Sequence, residues 1–321
     1  MNEITVTGQK TSATCSNPVA VPVLAPGGNI GIIAPAGPTQ LDVDQATRWA
    51  NSRGYGIHFF PGVFQAEGYL AGSDEVRLAD LHGAFADPSI DAIVCLRGGY
   101  GSPRLLDQID FDLLSRHPKP FVGYSDITAL LLAMTRHAGF MTFHGGMLAS
   151  DLLANKQPLT ERSLFELLGG RLSEGSLFAH PEEYTLETVV PGAACGRLTG
   201  GNLSLIGATL GTPYELETHD SILFIEDVGE PLYRVDRWLT QLRLAGKFSR
   251  LRGVLVGDFD TLALATLKPL LLQTFAHLDI PVLAGWRSGH SDPNLALPLG
   301  ARVSLDASRQ ELRLLERVVV T

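Results

Sequence analysis

The feature that most constrains the fold is a regular alternation of short apolar runs with helix-like segments between residues 29 and 150. Segments with helical periodicity separate the runs NIGIIAPAG, IHFFPG, DAIVCLRGG and PFVGY. One of them, DEVRLADLHGAFAD, follows Ser73, which is placed to cap its first turn. Strands that alternate with helices predict an open parallel sheet of the flavodoxin-like kind, with ligands at the carboxyl ends of its strands.

The second half of the chain predicts a mixed α/β domain with more strand. Its strand-like pieces are YTLETVV, SILFIED, GVLVGD, ARVSLD and ELRLLE. They are interspersed with helices such as PLYRVDRWLTQLRLAG, in which Leu232, Val235, Leu239 and Leu242 form one apolar stripe. A chain of 321 residues suits two domains. We therefore expect a flexible tail (1–28), a first domain (29–150), a linker (151–185) and a second domain (186–321).

Charge and cysteine content restrict the partners and the compartment. The formal net charge is −9 and the basic residues occur singly, so we expect no nucleic-acid partner. Cys15, Cys95 and Cys195 form neither a C-x-x-C motif nor a disulfide framework, which favours a reducing compartment. No secretory signal and no apolar run long enough for a membrane span is present, so we expect a cytoplasmic protein without a membrane partner. The histidine and cysteine spacings match no metal motif, and we expect no cofactor.

A serine lies where a strand meets a helix in PFVGYSDITALLLAM. Ser125 would stand on a tight turn above the sheet, with the helix N-terminus behind it favouring negative charge, as in a nucleophile elbow. Ile127 replaces the second glycine of the usual G-x-S-x-G motif. Ser125 is therefore either a nucleophile or only the cap of that helix.

Three further stretches carry candidate groups. The glycine-rich segment after a buried strand, LRGGYGSPRLL, either donates backbone N–H groups to a ligand or is an ordinary turn. Glu226 ends the strand in SILFIED and either orients an imidazole or faces solvent. His144 in TFHGGM and His290 in GWRSGHSDPN are the histidines in glycine-flanked loops, so either is a candidate base or a structural histidine.

Taken together, these stretches resemble the LD-carboxypeptidase family of serine peptidases, which includes muramoyltetrapeptide carboxypeptidase and the microcin C immunity peptidase. The matching pieces, which span roughly residues 30 to 306, are GIIAPAGP, LRGGYGSPRLLDQIDFDLL, FVGYSDITALL, FHGGM, GRLTGGNLSLIGATLGTPYE, ILFIEDVGEPLYRVDRWLTQL and GHSDPNLALPLGARVSLD. One departure is Gly146, since the family has proline after His-Gly.

The resemblance implies a catalytic triad of Ser125, Glu226 and His290, with the nucleophile in the first domain and its two partners in the second. It also implies a homodimer and a small peptide substrate, a cell-wall tetrapeptide cut between diaminopimelate and its terminal D-Ala. For the oxyanion hole we expect the N–H groups of Gly99 and Asp126.

The residues around the glycine-rich loop are candidates for binding the substrate. Arg97 and Arg104 either receive its terminal carboxylate or form surface salt bridges, and Tyr100 is a further candidate.

Two other functions stay open from the sequence. An immunity-type hydrolase of peptidyl or aminoacyl nucleotides would share the triad, and an aromatic platform for a base in the linker would favour it. The linker offers only Phe165, Phe178 and Tyr184, which favours the muropeptide. The other alternative is a non-catalytic two-lobe binding protein, in which Ser125 is only a cap.

Overall fold

Two large sheets and a third of only two strands organise the protein in the computed structural model, which describes residues 17–321. The predicted fold class is confirmed: the first sheet is mainly parallel, and the second is larger and mixed. The strands of the described residues are β1 (Val21–Pro22), β2 (Asn29–Ile33), β3 (Gly56–Phe59), β4 (Ala92–Cys95), β5 (Phe121–Gly123), β6 (Thr142–His144), β7 (Glu187–Val190), β8 (Ala193–Asn202), β9 (Ser221–Glu226), β10 (Gly253–Val256), β11 (Val282–Ala284), β12 (Leu297–Leu299), β13 (Arg302–Asp306), β14 (Glu311–Leu314) and β15 (Val319–Val320). The α-helices are α1 (Val43–Ser52), α2 (Asp74–Ala86), α3 (Phe111–Arg116), α4 (Thr128–Ala133), α5 (Pro158–Leu168), α6 (Leu203–Thr209), α7 (Leu232–Leu244) and α8 (Leu264–Phe275).

The first sheet has the strand order β3-β2-β4-β5-β6-β12, and its first five strands are parallel. Every residue of β4 is buried, as the continuous apolar run AIVC requires of a strand that helices cover on both faces. Helix α2 begins where predicted, because the Ser73 hydroxyl accepts a hydrogen bond from the N–H of Val76. The carboxyl ends of β4, β5 and β6 therefore lie along one edge.

The helix that follows Ser125 is buried on every side over its central part. It starts as a short 3₁₀ turn (Ser125–Ile127), continues as α4 and ends in a π-helical turn (Met134–Ala138) before Gly139. All six residues of α4 are buried, because it packs against strands of both sheets, β6 and β8. This position between the sheets explains why DITALLLAM is apolar all round.

The second sheet has the order β14-β13-β8-β9-β10-β11-β7, with parallel β8 to β11 at its centre. The central strand β8 was not among the predicted strands, since its glycines weaken a strand prediction. Those glycines are needed for close packing. A Cβ on Gly200 would lie 1.9 Å from the carbonyl oxygen of Phe224, and one on Gly201 would lie 2.8 Å from the side chain of Thr128.

The N-terminal segment differs from the predicted flexible tail over its described part. Residues 1–16 of that tail lie outside the described residues, whereas β1 pairs in parallel with β15 near the other end of the chain. Val21 and Leu24 are buried, and the N–H of Leu24 donates to the carbonyl of Leu168. A two-residue strand has too little pattern to be found in a Pro- and Gly-rich segment, so only its distant partner reveals it.

Strand β12 corrects the predicted domain boundary. We placed residues 186–321 in the second domain, but Leu297–Leu299 pairs antiparallel with β6 as the edge of the first sheet, with Leu297 opposite His144. Three residues containing Pro298 do not read as a strand, and proline is tolerated here because the strand lies at a sheet edge. The loop that carries His290 is consequently held by both sheets.

Candidate active site

Ser125 lies in a strained turn at the carboxyl end of β5. Its φ of 61° is in the left-handed region that a non-glycine residue rarely adopts. The chain turns sharply there because α4 follows at once, and Gly123 makes room for it: a Cβ on Gly123 would lie 2.7 Å from the Ile127 side chain. The turn lifts the Ser125 side chain off the end of the strand, toward the second domain.

The structure brings Ser125, His290 and Glu226 together. The Ser125 hydroxyl lies 3.1 Å from Nε2 of His290, and Nδ1 of His290 lies 2.7 Å from Oε2 of Glu226. Because the Nδ1–H group donates to the carboxylate, Nε2 is free to accept the serine proton. Among the described residues, the hydroxyl has no hydrogen bond to the N–H groups of the following turn, so Ser125 does not act as a side-chain cap.

Burial and neighbouring charges shift the pKa values of Glu226 and His290 in opposite directions. Glu226 is fully buried, which opposes its ionisation, but the imidazoles of His144 and His290 outweigh this and lower its pKa to about 2. Burial of His290 disfavours its cation, but the hydrogen bond and charge of Glu226 raise the pKa of His290 overall. At neutral pH the acid is therefore ionised and holds the imidazole in one tautomer.

His144, the other histidine that the sequence singled out, lies on the far side of the same carboxylate. It is fully buried at the end of β6, and its Nε2 is 3.8 Å from Oε1 of Glu226, beyond hydrogen-bond distance. Neither ring nitrogen of His144 has a hydrogen-bond partner among residues 17–321, and neither has Oε1 of Glu226. The Ser125 hydroxyl is hydrogen-bonded to His290 and not to His144, so His144 is not the base that contacts the serine.

Two glycines allow the groups to approach so closely. A Cβ on Gly289, whose φ is 102°, would lie 2.4 Å from Oε2 of Glu226. A Cβ on Gly98 would lie 2.9 Å from the Cβ of Ser125 and 3.0 Å from its hydroxyl oxygen. Any larger residue at either position would displace a member of the Ser125, His290 and Glu226 set, or cover it.

A buried network fixes the strand end that carries Glu226. The neighbouring Asp227 accepts hydrogen bonds from the Asn202 side chain and the Ser204 N–H, both at 2.9 Å. Burial and the charge of Glu226 raise the pKa of Asp227 to about 6. The N–H of Asn202 in turn donates to the hydroxyl of Thr128 at 3.1 Å, which links β8 of the second domain to α4 of the first.

The predicted oxyanion donors belong to the two segments that meet at the serine. Asp126 follows Ser125 directly, and Gly99 follows Gly98 in the turn that touches Ser125. The Asp126 carboxyl group points away from the hydroxyl: it is buried and accepts a hydrogen bond from the Ser102 N–H at 2.8 Å. This side-chain bond anchors the first turn of the helix to the glycine-rich loop.

The three predicted substrate-binding residues make different kinds of contact in the structure. Arg104 makes a two-pronged ion pair with Asp74, with donor–acceptor distances of 2.7 to 3.0 Å, which is the salt-bridge alternative of the sequence analysis. Arg97 is half-buried and donates to the carbonyl of Pro38 at 3.2 Å. Tyr100 is half-exposed and packs edge-on against Tyr69, with ring centroids 5.7 Å apart.

Several residues at the site were not found from the sequence. Asn202 follows two glycines, and Gly289 precedes the candidate base, but neither pattern by itself indicates what the residue contacts. Tyr124 and Asp151 also escaped notice: the Tyr124 ring packs edge-on against His290 with centroids 5.0 Å apart, and its hydroxyl lies 3.4 Å from Asp151. Burial raises the pKa of both groups.

Neither a metal site nor a membrane span appears in the part of the chain that the structure describes. In that part, no three His, Cys, Asp or Glu side chains cluster in a way that would hold a metal ion. None of the helices between residues 17 and 321 combines the length and apolarity that crossing a bilayer requires.

An open parallel sheet that presents a serine on a strained turn, with a histidine and a buried glutamate supplied by a second domain, has the geometry of a two-domain serine hydrolase. The comparisons with known proteins agree on one family. The models for the LD-carboxypeptidase N-terminal and C-terminal domains match residues 30–145 and 195–305. The chain belongs to the LD-carboxypeptidase family.

Relatives and solved structures cover almost the whole chain. A Bacillus subtilis protein named "Probable murein peptide carboxypeptidase" is 39% identical over 293 residues, 88% of this chain and 90% of that protein. The "Murein tetrapeptide carboxypeptidase" of Pseudomonas aeruginosa is 35% identical, over 88% of this chain and 94% of its own. The muramoyltetrapeptide carboxypeptidase structure from Oxalobacter formigenes superposes with a TM-score of 0.77 at 29% identity, covering 89% of this chain and 97% of that one.

The microcin C7 self-immunity protein MccF shares the fold. Its structure superposes with a TM-score of 0.86 at 24% identity, over 94% of this chain and all of the MccF chain.

Proposed function

We propose that this protein is a serine LD-carboxypeptidase that removes the terminal D-Ala from a murein tetrapeptide through an acyl-enzyme. The observation that carries the proposal is the continuous contact from the Ser125 hydroxyl through His290 to Glu226, with distances of 3.1 and 2.7 Å. The names of two relatives, the murein peptide and murein tetrapeptide carboxypeptidases, supply the substrate class.

Because the Nδ1–H group of His290 donates to Glu226, its Nε2 atom is the one that exchanges protons in the proposed reaction. His290 Nε2 takes the hydroxyl proton as Ser125 Oγ forms a bond to the scissile carbonyl carbon, and Glu226 stabilises the imidazolium. The same proton then passes to the amine of D-Ala as its C–N bond breaks. Water, deprotonated by His290, adds to the acyl carbon, and Ser125 leaves with the proton restored to its oxygen.

The oxyanion of each tetrahedral intermediate is assigned to backbone donors next to Ser125. In this proposal the N–H groups of Asp126 and Gly99 bind it, and each donor contributes about 3 kcal/mol in related chemistry. The contact between Gly98 and Ser125 supports this assignment, since the glycine-rich turn lies against the nucleophile.

The immunity-type alternative, hydrolysis of an aminoacyl nucleotide, has less support in the linker. A stacking platform for a base needs a free aromatic face. The Phe165 ring stacks on Tyr55 with centroids 5.2 Å apart, Phe178 is buried, and the Arg287 guanidinium lies 4.4 Å from the Tyr184 ring centroid. The aromatic side chains of the linker are thus engaged with this chain's own residues, which favours the peptide substrate.

The cellular setting of the proposal rests on composition and on the family resemblance. We extend it to a cytoplasmic homodimer that acts in peptidoglycan recycling, without a nucleic-acid or membrane partner. Size-exclusion chromatography with light scattering tests the dimer, since a single peak at the monomer mass of 34.5 kDa would contradict it.

The test is release of free D-Ala from the purified protein incubated with the tetrapeptide L-Ala-γ-D-Glu-meso-diaminopimelate-D-Ala. We expect turnover by the wild type and a loss of about 10⁴-fold or more in kcat for Ser125→Ala. The exposed Ser249 is a matched control, because its hydroxyl bonds only to the nearby Gly246 carbonyl, and Ser249→Ala should retain full activity.

Two results would overturn the proposal. Cleavage of an aminoacyl sulfamoyl-adenylate with no release of D-Ala would identify the immunity-type activity instead. Tight binding of the tetrapeptide with neither substrate cleaved would identify a non-catalytic binding protein.

A further inference from the structure

The proposed function fixes where the leaving residue must sit. His290 donates its proton to the leaving amine, so the nitrogen of D-Ala has to lie next to Nε2 of His290. The carboxyl carbon of an amino acid is only about 2.5 Å from its own nitrogen. The terminal carboxylate therefore lies within a few ångström of His290.

A pocket opens beside His290. It has a volume of about 530 Å³ and is lined by His290, by the loops that follow β10 and β11, and by three residues of the linker, Lys156, Tyr184 and Thr185. This size is within the usual range for small-molecule sites.

Most of the charged groups in this pocket are already paired. Arg287 forms an ion pair with Asp258, donates to the carbonyl of Asp292 at 3.0 Å and lies over the ring of Tyr184. The Asp292 carboxylate accepts a hydrogen bond from the Gln157 N–H at 2.8 Å. The exposed Asp260 also lines the pocket, where solvent screens its charge.

Lys156 is the basic side chain of the pocket that has no ion-pair partner among residues 17–321. It is half-buried, and its positive charge opposes the rise that burial causes in the pKa of Asp151. Asp151 is the partner of the Tyr124 hydroxyl, and Tyr124 packs on His290. Lys156 thus lines the same pocket as His290, the base that must protonate the leaving amine.

We propose that this pocket holds the leaving residue and that Lys156 binds its α-carboxylate. The inference rests on the proposed function and adds to it the group that would make the enzyme a carboxypeptidase. An ammonium group in a half-buried site recognises a free carboxylate and gains little from a neutral amide.

The experiment compares two substrates that differ only at this group, the tetrapeptide ending in D-Ala and the same peptide ending in D-alaninamide. For the wild type we expect kcat/KM to be at least tenfold higher with the free carboxylate. Lys156→Met should lower kcat/KM for the carboxylate substrate at least tenfold and change it less than twofold for the amide. Lys156→Arg should keep the preference for the carboxylate.

The matched control is Lys268→Met, the same substitution on α8 at a lysine that pairs with Glu187 outside the pocket, and it should leave both values unchanged. Unaltered cleavage of the amide by Lys156→Met would itself show that the variant is folded. An equal loss on both substrates would assign Lys156 a purely structural role, and no loss on either would remove it from the site. If the wild type releases neither D-Ala nor D-alaninamide, the proposed function itself fails.

Discussion

At the scale of single residues, the site depends on side chains such as Glu226 and His290, whose pKa values are set by burial and by each other. Glu226 is the most consequential, because it accepts a hydrogen bond from Nδ1 of His290 and raises the pKa of that histidine. Two closely approaching glycines, Gly98 and Gly289, leave the room that this arrangement needs. Small changes at these positions should therefore affect chemistry before they affect folding.

The pH dependence of kcat/KM should report the charge of His290. A base must be neutral to accept a proton, so activity falls as the pH drops through the pKa of His290, which lies above its ordinary value of about 6.5. In Glu226→Gln the largest raising contributions, the hydrogen bond and charge of Glu226, are lost and only the charges of Asp227 and Asp151 still oppose burial, so the pKa of His290 falls. We expect the acid limb to lie above pH 6.5 in the wild type and at a lower pH in the variant, with kcat reduced by about 10³- to 10⁴-fold.

The measurement is the pH profile of D-Ala release. Glu230→Gln is the control, because it makes the same substitution four residues after the end of β9. An acid limb that stays in place in Glu226→Gln would mean that the carboxylate does not set the charge of His290.

At the scale of elements, α4 and β8 connect the segment that carries Ser125 to the strand that carries Glu226. Helix α4 follows directly from Ser125, and β8 ends at Asn202, which lies opposite Glu226 in the strand register. The hydrogen bond from the Asn202 N–H to the Thr128 hydroxyl joins the two elements, and both residues are buried. A single bond between domains thus helps to set the position of Ser125 relative to Glu226.

Thr128→Val should break this connection with almost no change in shape. The variant leaves the buried N–H of Asn202 without an acceptor, which costs about 1–3 kcal/mol of unfolding free energy. Thr128→Ser keeps the hydroxyl and loses only a methyl group, at about 1 kcal/mol.

Urea denaturation and D-Ala release measure the two effects. We expect kcat to fall further in Thr128→Val than in Thr128→Ser, because only the valine variant frees the helix from β8. Equal values of kcat in the two variants would show that packing at this position matters and the hydrogen bond does not.

At the scale of the whole molecule, the two domains are joined by more than the linker. Strand β12 returns from the second domain to pair with β6, and β1 pairs with β15 near the C-terminus. His290 lies in the loop between β11 and β12, so each end of that loop is fixed in a different sheet. The active site is held together by these crossings.

This interlocking predicts one cooperative unfolding transition. Trp49 is buried in the first domain and Trp286 in the second, and each can serve as a local fluorescence probe in a variant whose other two tryptophans are phenylalanine. We expect the urea midpoint of each probe to coincide with that from far-ultraviolet circular dichroism of the same variant. Domains that unfold independently would instead give two separated midpoints.

The sequence by itself determined the features that depend on short stretches of chain. Periodicity identified the parallel sheet and the helices around it, including α2 with its Ser73 cap and the stripe on α7, of which Val235, Leu239 and Leu242 are buried. The motifs around Ser125, Glu226 and His290 identified the family and named the residues that the structure brings together. Each of these signals lies within about fifteen residues, over which local propensity and solvent contrast act.

The tertiary structure alone decided the contacts between distant segments. Strand β8 looks unlike a strand because its glycines admit Phe224 and Thr128, and β12 is too short to be seen without β6 beside it. The place of His144 behind Glu226 and that of Lys156 in one pocket with His290 likewise follow from contacts across many tens of residues. No local pattern encodes such contacts, because they are selected by how whole surfaces fit together when the two sheets pack.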